Sequence, residues 1–145
     1  MREILFRGKR TDNGTWIEGN YCIAEKLDKS GVEYFIIEIE SDGSQYYVIP
    51  ETVGQYTGLL DKEGKKIFEG DIVHAVYQVG YIGCKNVDYG IGVVKYCASY
   101  YGGASYEIDI IGDSGSRVFT ASLENGVEVI GNIHDNPELI GGEEN

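Results

Sequence analysis

Hydrophobic and polar residues alternate with a period of two along most of this chain, which predicts strands rather than helices. Residues REILFR predict a first strand, and Thr11-Asp12-Asn13-Gly14 a hairpin turn, because Asn-Gly tolerates the left-handed backbone that such turns need. A second strand follows in TWIEGNYCIAE, with Trp16 as its large core candidate. After a turn at Asp28–Gly31, VEYFIIEIE places Tyr34, Ile36 and Glu38 on one side and Phe35, Ile37 and Ile39 on the other, so one face is largely apolar. Ser41-Asp42-Gly43 turns the chain again, and QYYVI forms a strand ended by Pro50, which cannot donate to a ladder.

The second half begins near Gln55. Asp61-Lys62-Glu63-Gly64 reads as an exposed turn, and the stretch up to Val79 as a loop and a long strand. On that strand Ile72, His74 and Val76 share one face, and Val73, Ala75 and Tyr77 the other. The glycine-spaced residues 80–90 read as irregular, and GIGVVKY, SYEIDI, SRVFT and VEVIGNI as further short strands. Only HDNPELI invites a helix: Asn136 suits the cap and Pro137 the first helical position, with Gly141-Gly142 stopping it after a turn or two. The expected fold is mainly β. An N-terminal β lobe (1–53) packs on an SH3-like barrel (54–145), which ends in one short C-terminal helix. Around the barrel's tight corner, Gly70 supplies the backbone freedom and Asp71 bonds nearby backbone.

Composition agrees with a sheet protein, since 145 residues carry 21 Gly and 12 Tyr but only two Pro. Charge changes the picture more. The chain carries −12 at pH 7, yet its first ten residues hold Arg2, Arg7, Lys9 and Arg10 against Glu3 alone. A short basic start therefore precedes a body of −15, which repels phosphate backbones and disfavours general nucleic-acid binding. No apolar run approaches the roughly 20 residues of a membrane span. The start lacks the apolar stretch of a secretory signal, and Cys22, Cys84 and Cys97 form no CxxC. A cytoplasmic protein with reduced thiols is expected.

Three separated segments carry a resemblance: MREILFRGK at the start, QYTGLLDKEGKKIFEGDIV from Gln55 to Val73, and EVIGNIHDNPELI from Glu128 to Ile140. In that order they resemble the YopX-like family, small proteins encoded by bacteriophages and prophages of Gram-positive bacteria. The resemblance implies a β-rich fold with an SH3-type barrel in the second half and a phage-derived origin. It implies no activity and supplies no catalytic residues. Gly70, Asp71, Gly131, Asn132, Asn136 and Pro137 stand in its motifs and are expected to serve structure.

Candidate chemistry is sparse. Of two histidines, His74 lies three residues after Asp71, on the opposite face of a strand, and His134-Asp135 sits beside the Asn-Pro start where a turn or cap is its plainer use. Neither makes a catalytic centre alone, because a general base needs a substrate group within hydrogen-bond reach. No zinc spacing and no phosphate loop occur, and Glu38 with Glu40 reads as a solvated strand face. No cofactor, metal or catalytic residue is expected. What stands out is the segment 77–106, which holds seven of the twelve tyrosines among glycines. Its composition resembles that of an antibody paratope, with Tyr96, Tyr100, Tyr101 and Tyr106 as candidate partner-binding residues; ordinary strand tyrosines are the alternative. The leading expectation is a non-enzymatic accessory protein that binds protein, a homo-oligomer included. An acidic DNA-like mimic inhibiting a host protein, or a weak nucleic-acid binder through the basic start, are the alternatives.

Overall fold

The computed structural model describes residues 3–39, 42–78, 86–98, 104–112, 117–119 and 126–141. Strands dominate, the strand pairings among the described residues include eight antiparallel ones, and the chain divides into two compact units, Met1–Tyr56 and Thr57–Asn145.

In the first unit β1 (Phe6–Lys9), β2 (Trp16–Glu25), β3 (Val32–Glu38) and β4 (Gln45–Tyr47) pair in sequence order. The start of β5 (Gly54–Leu60) pairs with the start of β1. Beyond its own end β1 reaches round to the far side of β4. Arg10 bridges Val48, the Thr11 N–H bonds the Tyr47 carbonyl at 3.0 Å, and the Ile49 N–H bonds the Lys9 carbonyl at 2.9 Å. The four strands thus close on themselves. Their interior is small and takes Ile17, Ile36 and Val48, with Tyr21, Tyr34, Tyr46 and Val53 packed around them.

That closure decides which faces turn inward, and the expectation of Trp16 in the core yields to it. On β3 the inward face is Tyr34–Ile36, with Ile36 fully buried; the wholly apolar face is outside, where Ile39 is 51% exposed. Phe35 finds cover there in an edge-on contact with Tyr47, at 6.4 Å between ring centres. On β2 the core position is Ile17, opposite Gly8, so Trp16 opposite Lys9 faces outward and is only half-buried. Its ring receives the Arg7 guanidinium at 4.7 Å and the Lys9 ammonium at 5.7 Å. Of the basic start, Arg7 is buried, and Arg10 lies over Tyr46 and bonds Asp12.

The second unit contains the end of β5, β6 (Lys66–Phe68), β7 (Asp71–Gln78), β8 (Asn86–Ala98), β9 (Ala104–Ile110), β10 (Arg117–Phe119) and β11 (Val127–Asn132). Its main sheet has the order β10-β9-β8-β7-β11, so β7 is flanked by a hairpin neighbour and by the last strand of the chain. The core comprises Val73 and Ala75 of β7, Val94 of β8, Ile108 and Ile110 of β9 and Val127 of β11, with Ile67 of β6 packed among them. The strand β8 starts at Asn86, so residues 86–90, expected to be irregular, are strand with one bulge; residues 80–85 of that stretch lie outside the described residues. The C-terminal helical turn, Pro137–Ile140, is a 3-10 turn of four residues and not an α-helix.

Two buried carboxylates tie this unit together. Asp61 lies in the turn after β5 and is 6% exposed, although the sequence predicts that turn to be exposed. Its Oδ1 accepts the Glu63 and Lys65 N–H groups and its Oδ2 the Val129 N–H of β11, all within 3.0 Å. Asp71, 1% exposed, accepts the Phe68 N–H at 2.7 Å and so fixes the corner between β6 and β7. Gly70 sits in that corner at φ +92°, where a side chain would be strained, and its N–H reaches the Val94 carbonyl.

Candidate functional site

His74 stands on β7, outward from the core that its neighbours Val73 and Ala75 enter. Directly across from it lie Ile91 on β8 and Glu128 on β11. Both flanking strands are irregular here. On β8 the pairing steps from Ala75↔Gly90 to Val76↔Asp88, which leaves Tyr89 as an extra residue. On β11 it steps from Val129↔Val73 to Gly131↔Ile72, which leaves Ile130 extra. Bulges of this kind re-aim side chains.

The β8 bulge brings the site together. Asp88 and Ile91 are three apart and would point to opposite faces of a regular strand. The extra residue restores Asp88 to the face of Ile91 and His74. Asp88 Oδ1 then lies 2.9 Å from His74 Nε2 and accepts the Gly90 N–H at 2.7 Å. The Gly90 N–H first, and the histidine second, hold the Asp88 carboxyl below the usual carboxylate range. An ionised carboxylate only accepts, so Nε2 carries the proton of this bond and Nδ1 is an acceptor while the ring is neutral.

Around the pair opens a groove of about 640 Å³, lined by Ile91, Ile111, Ile130 and Leu139 besides His74 and Asp88. Ile111 follows β9 and is held by its N–H bond to the Ile91 carbonyl. Leu139 rides on the C-terminal 3-10 turn, which a knot of amide groups fixes. The Asn132 side-chain oxygen accepts the His134 and Asp135 N–H groups, and Asn136 Oδ1 accepts the Asn132 N–H. Asn136 thus spends its side chain on β11 and makes no side-chain cap on the turn, contrary to its expected role, while Pro137 opens the turn as anticipated. A Cβ on Gly131 would stand 2.6 Å from Asn136 Oδ1, so only glycine admits this close approach.

The other candidates fall elsewhere. Tyr96 and Tyr106 are cross-strand partners whose rings meet edge-on at 5.0 Å; Tyr106 is buried and Tyr96 is 55% exposed. Tyr100 and Tyr101 lie outside the described residues. Asp71 and His74 do not pair, Asp71 being committed to Phe68. Among the described residues no group of three or more His, Cys, Asp or Glu is placed to hold a metal ion, and no helix is long and apolar enough to cross a membrane. Among the described residues the groove lining contains no hydroxyl or thiol. Its chemistry is that of a surface offering acceptors among aliphatic side chains.

Sequence reasoning missed Asp88, Ile111 and Ile130. Asp88 fell in a stretch whose glycines suggested a loop, and both bulges shift the parity that face assignment relies on. The signal present was Asp88-Tyr89-Gly90, a short acceptor two residues before a glycine at φ +93°.

No curated protein matches this chain. Among solved structures, protein EF1440 from Enterococcus faecalis is similar in fold. The TM-score is 0.51 at 23% identity, over 97% of this chain and 99% of that one. The family model described as YopX protein matches residues 5–141, which take in β1, the Asp61 and Gly70-Asp71 turns, the groove and the Asn132–Asn136 knot. The chain belongs to the YopX family.

Proposed function

We propose that this protein is a non-catalytic accessory protein of phage or prophage origin that works by binding protein, and that its docking face is the groove beside His74. The observation that carries the reading is the groove itself: four aliphatic side chains around one polar pair. Binding sites commonly combine such an apolar lining with a few placed polar groups. The β7–β8–β9 meander and its tight Gly70-Asp71 entry support reading the second unit as an SH3-like barrel. The lining is aliphatic rather than aromatic, which favours an extended segment with aliphatic side chains over a proline-rich one. Nucleic-acid contact through the basic start has less support, because Arg7 and Lys9 lie over Trp16 and Arg10 is engaged by Asp12 and Tyr46.

Selection of displayed random peptides on the full chain, repeated on Ile130→Asp, tests the reading. Peptides that bind the parent and lose at least about tenfold in affinity on the variant support it. Failure to enrich any peptide, or equal binding to both proteins, opposes it.

A further inference from the structure

We infer that the groove recognises a cationic side chain, arginine or lysine, carried between aliphatic residues of an extended segment of its protein partner. The inference rests on the docking reading above and specifies the partner's chemistry. Both hydrogen bonds to the Asp88 carboxylate converge on Oδ1, one from His74 and one from the Gly90 N–H. These fix the carboxylate in place and leave Oδ2 with no hydrogen bond to the described residues. Its side chain is 63% exposed, so a ligand can reach it.

His74 adds to the same demand. Its Nε2 is turned to Asp88, so in the neutral form of the ring Nδ1 is a second acceptor. Two acceptors beside an aliphatic lining need a donor that brings its own N–H groups, and an ionised carboxylate favours one that is charged. A guanidinium supplies several donors in one plane, and its stem can lie along the aliphatic walls. Glu128, directly across from His74, shares its face; Lys62 at 3.4 Å offsets that charge, whereas Asp88 has no lysine or arginine partner among the described residues. The chain as a whole carries −12, which steers a basic segment toward it.

The test uses soluble nonapeptide pools with arginine fixed at the centre, or citrulline, its neutral isostere, in the same place. The other positions are drawn from Leu, Ile, Val, Tyr and Gly. Affinity is measured by calorimetry on the full chain and on Asp88→Asn, with circular dichroism to verify that the variant is folded. The arginine pool should bind at least about tenfold more tightly than the citrulline pool. Asp88→Asn should erase that difference, chiefly by weakening the arginine pool. Equal binding of both pools to the parent protein overturns the inference and leaves the docking reading standing. Binding of neither pool overturns both, and an arginine preference that survives in folded Asp88→Asn places the cation elsewhere and overturns the assignment to Asp88.

Discussion

With one oxygen the Asp61 carboxylate satisfies two amides of its own turn, and with the other an amide 68 positions along the chain. Burial by itself would raise its pKa; the three N–H donors outweigh that and hold the group below the usual carboxylate range. Removing the side chain leaves these amides without their acceptor in a partly buried place. Asp61→Ala should therefore cost about 3 kcal/mol. Asp61→Asn keeps one acceptor oxygen but turns an NH2 toward the Val129 N–H, and should cost about 1–2 kcal/mol. Urea denaturation at neutral pH measures both. Sequence could not distinguish Asp61 from the charged residues beside it, since its third donor comes from a strand that only tertiary structure delivers. Asp71 was more legible because its partner, Phe68, is three residues away.

Elements followed the sequence where a strand is regular and departed from it where parity shifts. The alternation in β2 and β3 placed both strands, yet it could not say which face is inward. Closure of the first unit buries Ile36 and Ile17 and leaves Trp16 to cover two cations. In β8 a single extra residue, Tyr89, returns Asp88 to the face of His74. Deleting Tyr89 should regularise the ladder, send Asp88 to the other face and abolish its bond to His74. The measurement is the His74 ring nitrogen chemical shift. In the parent it should respond to Asp88→Asn, and in the deletion it should not. Retained sensitivity after deletion would show that the bulge does not place the carboxylate.

At the scale of the whole molecule, charge governs behaviour in acid. Among the described residues, Asp12 sits below the usual carboxyl range through the Arg10 side chain, Asp28 through the Ser30 hydroxyl and N–H, Asp61 through its amides against the pull of burial, and Asp88 through Gly90 and His74. Each folded pKa lies below the unfolded one, so in that window the unfolded chain binds more protons. The stabilisation is complete above the unfolded carboxyl value, about pH 4, and is lost as pH falls through the folded values. Urea midpoints should thus fall steadily below about pH 4 and vary little between pH 5 and 7 from these groups. The slope should be shallower in Asp61→Asn, the best shielded of the four.

The meeting of Arg10 with Val48 has a consequence for how this chain can go wrong. Ordered aggregates grow when a neighbour copies an open row of main-chain groups, and this bridge joins the β1 edge to the edge beyond β4, while Asn20–Glu25 of β2 pairs with β3 alone. Fibrils seeded from native protein should accordingly draw their protease-resistant cores from Asn20–Glu25 and from residues after Thr57, where β10 ends its sheet, rather than from β1. Mass spectrometry of the digested fibrils would show whether β1 is spared.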